Sequence, residues 1–177
     1  MIRSGGREAM VKRCGFYTDG ANVICKECAI EWNMGFDKAA KHNYIMQIKA
    51  ELPRELNPMI DVTSASDSIA GKALSPIFIE CGSTGMSIED YLKKHPECAK
   101  PGFFDFIYIN CLSDDQKNTI FTTYCFIDVF HKPEKGRNTQ ASACAYYKLL
   151  QWQEKEFLLT DLDLFLDWYN SVPFFRI

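Results

Sequence analysis

Several ionisable or hydrogen-bonding side chains stand where an apolar residue would be expected, and they are the candidates for chemistry. Lys41 falls inside the apolar helical stripe of Ala40, Tyr44, Ile45, Ile48 and Leu52. Such a lysine either snorkels to solvent or enters a pocket, where it binds an anion or becomes a nucleophile as desolvation lowers its pKa. Asp105 interrupts Phe103-Phe104-Asp105-Phe106-Ile107, and Asp128 interrupts Phe126-Ile127-Asp128-Val129-Phe130. A buried carboxylate needs partners, so each either caps backbone groups or holds a functional group in place. Glu89 follows Ser87-Ile88 at a helix start. There it serves the helix dipole, or acts as a general acid or base on a rigid element. Asn138 and Gln140 precede an apolar helix, where they cap it or read a ribose or a base edge with their amides.

The eight cysteines include one close pair, Cys25-Lys26-Glu27-Cys28. Zinc needs two further ligands at workable spacing, and no second pair exists. Cys111, Cys125 and Cys144 lie in apolar segments, which predicts packing thiols with no disulfide and no bound metal. The reading calls for no cofactor.

The elements that must position these groups are mostly helices. Asp37 is placed to cap a helix running to about Leu52, which Pro53 ends. Ser68 can start a short helix. Ser87 can start another that stops before Pro96, and Pro101 opens an apolar helix to about Leu112. Ser113 or Asp114 caps a helix over Gln116 to Cys125. Thr139 to about Glu154 forms a further helix, and Thr160 with Asp163 caps the last. Val11 to Trp32 reads as short strands or irregular structure. Met34-Gly35-Phe36 is a turn, Met59 to Thr63 and Leu74 to Cys81 are extended, and 133–138 is a charged loop. The expected fold is mainly α, an α+β arrangement with a small β portion. It forms a single domain over 13–177 behind a flexible lead-in at 1–12.

Composition bounds the function. Apolar residues make up 47% and aromatics 14% of 177 residues, enough for one well-filled core. The net charge of −3 argues against tight non-specific duplex binding and leaves room for a small basic patch beside a pocket. No apolar run is long enough to span a membrane, and no signal-peptide core is present, which points to the cytoplasm.

The order of the segments resembles the NADAR proteins, in the branch paired with DarT-type DNA ADP-ribosyltransferase toxins. The resemblance rests on five blocks. They are Glu31-Trp32 with Gly35-Phe36, Lys41 and Ile45; Val62-Thr63-Ser64-Ala65-Ser66 with Gly71, Leu74 and Ser75; Ser87-Ile88-Glu89-Asp90-Tyr91-Leu92; Phe104-Asp105-Phe106-Ile107-Tyr108-Ile109-Asn110-Cys111-Leu112; and Phe126, Asp128, Pro133 and Lys135 with Asn138-Thr139-Gln140-Ala141. It departs from the family at Leu92-Lys93-Lys94-His95-Pro96, where the family has a Gln. It departs again at Ser142 and Ala65, where the family has Arg and Lys.

The resemblance implies a compact NADAR-like fold and removal of ADP-ribose from guanine in a nucleic acid or nucleoside, as an antitoxin. Its partners would be ADP-ribose-modified guanine, single-stranded DNA carrying the modification, and a DarT-type toxin. Glu89 is the implied acid or base. Lys41 would bind phosphate or form a Schiff base with the opened sugar. Trp32, Ser66, Asp105, Tyr108, Asp128, Asn138 and Gln140 would bind substrate, with Tyr108 or Trp32 stacking on a base. These expectations place Glu89 and Lys41 in one pocket. The alternative is a catalytically inactive module that binds ADP-ribose, a nucleotide or a toxin; a purely structural domain would show no pocket.

Overall fold

In the computed structural model, which describes residues 9–33, 35–133 and 137–177, a long hairpin forms the centre of the sheet. Its strands are β1, Ala9–Thr18, and β2, Val23–Trp32. Asp19 shapes the turn between them by accepting from the backbone N–H groups of Ala21 and Asn22. This segment was expected to be short strands or irregular. Its charged residues hid the regularity, and they are satisfied within the fold: Lys12 pairs with Glu27 at 2.7 Å, and buried Arg13 donates to the Val129 and Lys12 carbonyls. β1 takes in Ala9–Lys12, four residues of the expected lead-in, while Met1 to Glu8 lie outside the described residues. So do Met34 of the expected turn and Lys135 of the charged loop.

Three short strands complete the sheet: β3, Met59–Asp61; β4, Cys125–Asp128; and β5, Phe174–Arg176. The order is β3-β4-β1-β2-β5. β1 is antiparallel to β2 and β4, whereas β3–β4 and β2–β5 are parallel.

Side chains alternate along each strand, so the sheet feeds two cores. Cys28, Ile30, Cys125, Ile127 and Val129 pack with Tyr44, Ile45 and Ile48 of α1, Lys38–Glu51. Cys14, Phe16, Val23, Cys25 and Phe126 pack on the other side. Their partners come from α4, Phe103–Asn110; α6, Gln140–Trp152; and α7, Leu162–Ser171. In α6 every residue from Ala141 to Leu150 is buried. The remaining helices are α2, Ile69–Ala73; α3, Ile88–Lys94; and α5, Asp114–Thr122.

The expectation of a mainly α fold with a small β portion needs adjustment. Seven α-helices are present among the described residues, but the five-stranded mixed sheet is the middle layer that they cover. Leu74 to Cys81 is not a strand; it contributes a single bridge, Glu80 to Ser87. The caps Asp37, Ser68, Ser87 and Ser113 each accept a backbone N–H from their helix. Asp161, one residue after the expected Thr160, caps α7. No helix among the described residues is long and apolar enough to cross a membrane.

Candidate functional site

Two cavities of similar size adjoin at Ser64. The first, about 540 Å³, is walled by Thr63 and Ser64 after β3, Ser75 to Ile77, Glu89 and Lys93 of α3, Phe104 of α4, Phe130 after β4, and Asn138 and Gln140 at the start of α6. The second, about 530 Å³, lies between the start of α1 (Lys38, Lys41, His42), Ser64 to Asp67, and Lys72 of α2.

Glu89 reaches the first cavity because α3 is pinned at its start. Ser87 accepts from the Asp90 N–H, and the Glu89 N–H donates to the Pro76 carbonyl at 3.1 Å. The Glu89 carboxylate meets Lys93 Nζ at 3.0 Å, one helical turn on. That pair is partly exposed, so it constrains Glu89 only weakly. Lys41 lines the second cavity instead of the first, with its Nζ 6.0 Å from the centroid of the Phe130 ring. Glu89 and Lys41 therefore line neighbouring cavities that share Ser64, not the single expected pocket.

Two buried aspartates, from the repeated triplets Ile60-Asp61-Val62 and Ile127-Asp128-Val129, hold wall residues of the first cavity. Asp61 accepts from the Thr63 hydroxyl and from the Val129 N–H, tying the loop after β3 to the end of β4. Burial pushes its carboxyl up to about 7. Asp128 accepts from the Phe130 and His131 N–H groups with one oxygen and from the Thr139 hydroxyl with the other. Asp128 is thus a support under the wall. Asp61 was not anticipated, although the repeated Ile-Asp-Val triplet could have revealed it.

Because Thr139 turns its hydroxyl to Asp128, α6 has no side-chain cap. Its N-terminus opens beside Asn138 and Gln140 on the first cavity, a setting that favours an anion. Asn138 donates to the Ala99 carbonyl, and its own oxygen has no partner among the described residues. Ser142, at the position of the family's Arg, is fully buried in α6.

Three residues expected to contact substrate do not line either cavity. Tyr108 is fully buried; its hydroxyl donates to the Leu74 carbonyl, and its ring stacks on Phe104, which does line the cavity. Asp105 is also fully buried and accepts from the Gly102 N–H at the start of α4. Burial pushes its carboxyl up to about 7. Trp32 stacks on Tyr44 at 4.0 Å and carries the Arg13 guanidinium on its ring, away from both cavities. Asp105 and Tyr108 sit in an apolar run, where sequence cannot separate a side chain that packs from one that meets a ligand. Ser66 does line the second cavity.

Cys25 and Cys28 do not converge. Three positions apart on β2, they face opposite cores, and no cluster of three metal-ligating side chains occurs among the described residues.

A family model described as the DarT1-associated NADAR antitoxin matches residues 83–172. The chain belongs to this NADAR family. No curated protein matches the chain. The NADAR match runs from before α3 to the end of α7, so it takes in Glu89, Asn138 and Gln140 of the first cavity and the supporting Asp128. The second cavity, with Lys41 and Ser66, is built by residues that precede the matched span.

Proposed function

We propose that this NADAR protein acts in the cytoplasm as an antitoxin against a DarT-type toxin, hydrolysing the N-glycosidic bond between ADP-ribose and guanine. The observation that carries this reading is the first cavity: a carboxylate, Glu89, and two amides, Asn138 and Gln140, beside an uncapped helix N-terminus. That set matches the parts of the substrate, with a dipole for the diphosphate, amides for ribose or base, and a carboxylate for the reacting carbon.

The bond from the anomeric carbon to the guanine nitrogen breaks through an oxocarbenium-like state, and the electron pair leaves with guanine. Glu89 stabilises the cation and takes a proton from the attacking water, whose oxygen bonds to the anomeric carbon. Guanine is protonated as it leaves, by Glu89 or by solvent. Lys41 lies across Phe130 and Ser64 from this point, close enough to the boundary to contact a phosphate or an opened sugar. The test is incubation with ADP-ribosylated guanosine and detection of free ADP-ribose; no release over a long incubation removes the hydrolase reading.

One observation favours the alternative of a binding module. Glu89 is ion-paired with Lys93, where the family has other residues, and the pair must open before the carboxylate can act. ADP-ribose binding without turnover would select this alternative.

A further inference from the structure

Among the described residues, the wall of the first cavity holds one carboxylate, Glu89, and one cation, Lys93, and the two are bonded to each other. Residues four apart on a helix share a face, so a lysine at 93 that lines the cavity meets Glu89. Lys93 Nζ lies 3.0 Å from Glu89 Oε1 and 3.6 Å from Oδ1 of Asp90, which is not a wall residue of this cavity. The hydrogen bond to Glu89 raises the Lys93 ammonium above the usual lysine value. Lys93 is therefore a fixed positive charge at neutral pH and a poor proton donor.

The other anion-binding element of this cavity is too weak to hold a diphosphate alone. The uncapped α6 N-terminus is equivalent to about half a positive charge, whereas a diphosphate carries two negative ones. The α6 wall residues Asn138 and Gln140 are neutral, and Ser142 is fully buried. Lys93 is the wall residue that can supply the missing charge. Its bond to Glu89 can be given up readily, because the two side chains are 64% and 39% exposed and such pairs are weak. Hydrogen bonds from an ammonium to phosphate oxygens are among the strong ones. We propose that Lys93 binds the diphosphate of ADP-ribose, and that this change of partner frees Glu89, so that the first cavity selects substrates by their diphosphate. The proposal rests on the glycohydrolase reading for the role of Glu89, and its binding test uses ADP-ribose itself and needs no turnover.

The test uses Lys93→Ala, Lys93→Arg and Lys94→Ala. Lys93 and Lys94 are both exposed, and a thermal unfolding curve checks that each variant keeps the fold. Lys94 does not line the first cavity, so Lys94→Ala removes the same charge without touching the wall. The first arm measures affinity for ADP-ribose and for adenosine, which lacks the diphosphate. Lys93→Ala should weaken ADP-ribose by about tenfold or more, the range of a hydrogen bond to a charged group, and leave adenosine unchanged. Lys93→Arg should keep most of the affinity, and Lys94→Ala should match wild type. The second arm follows ADP-ribosylated guanosine, for which Lys93→Ala should raise KM without lowering kcat. Equal ADP-ribose affinity in wild type and Lys93→Ala overturns the proposal, as does wild-type protein that binds no ADP-ribose. An equal loss in Lys94→Ala, or an equal loss on adenosine, also overturns it. A lower kcat with ADP-ribose affinity intact would make Lys93 a positioning residue for Glu89 instead. If wild-type protein binds ADP-ribose but releases none from ADP-ribosylated guanosine, the glycohydrolase reading fails alone, and the first arm still decides whether Lys93 holds the diphosphate.

Discussion

Asp128 accepts a 2.6 Å hydrogen bond from the Thr139 hydroxyl, fastening the end of β4 to the start of α6. The same carboxylate holds the Phe130 and His131 N–H groups. Asp128→Ala strips the acceptor from the Thr139 hydroxyl and the Phe130 N–H, whereas the His131 N–H keeps the Asp128 backbone carbonyl at 3.2 Å. The expected cost is about 2–4 kcal/mol in denaturant unfolding, since each stranded buried donor costs about 1–3 kcal/mol and some are reached by water. Thr139→Val removes one of these bonds and should cost less. A loss under about 0.5 kcal/mol for Asp128→Ala, the range of an ordinary surface change, would show that nothing is clasped.

Glu89→Gln preserves shape and removes proton transfer. Turnover of ADP-ribosylated guanosine should fall by about 10² to 10⁴ with affinity nearly unchanged. Stability should hardly move, because the Lys93 pair is partly exposed. Equal turnover in both proteins would take Glu89 out of the mechanism. Lys41→Ala separates its two roles. If Lys41 holds a phosphate, the variant has a raised KM. If it forms a Schiff base, the variant makes no product at any substrate level, and the adduct that borohydride traps in wild type is absent.

Asp105 gives stability a defined pH dependence. Burial moves its carboxyl from 3.8 to about 7, so the folded chain keeps a proton that the unfolded chain releases. That contribution is complete below the unfolded value and is lost as pH rises through the folded one. Asp105→Asn keeps an oxygen for the Gly102 N–H and does not titrate. Relative to wild type, the variant should gain about 1.4 kcal/mol per pH unit across that window. Urea unfolding at several pH values reads this directly, and a difference that stays flat with pH would contradict the assignment. Asp61 shifts in the same direction but is present in both proteins and cancels.

Gly71 fits against the backbone of β3 with no room to spare. A methyl group there would press on the Asp61 carbonyl and Ser66 Oγ and come within 2.9 Å of Ile60 Cγ1. Gly71→Ala should cost about 1–3 kcal/mol in thermal or denaturant unfolding. It should also raise KM, because Ser64 to Ser66 are wall residues. Unchanged KM alongside lost stability would mean that the loop adjusts without moving the cavities.

The sequence was most informative where a local rule is sufficient. A helix cap needs only one polar side chain and the next few N–H groups, so Asp37, Ser68, Ser87 and Ser113 were readable. Asp161 shows the limit, since neighbouring Thr160 offers the same chemistry one position away. The strand pair β1–β2 was obscured because Arg13 and Glu27 find their partners far along the chain, on Val129 and Arg176. Glu89, Asn138 and Gln140 were legible as cavity residues because a helix start presents its first side chains outward. The partners of Tyr108 and Asp105 were not legible, because a buried polar tip looks the same in sequence whether it meets a ligand or a neighbouring backbone carbonyl or N–H. The division into two cavities was illegible, because it depends on the tertiary placement of Ser64, which lines both, and of Phe130, which lines the first and neighbours Lys41 of the second.

The strand order has a kinetic consequence. The central hairpin can close early, since its two strands are adjacent in the chain. Its flanks cannot. β1 waits for β4, and β2 waits for β5 at Phe174–Arg176. Such distant pairings must recover the entropy of closing long loops before they return any contact energy, which places this topology among slower folders. Until then the hairpin's outer edges stay open to other chains, so the segments that complete the sheet also act as its guard against aggregation.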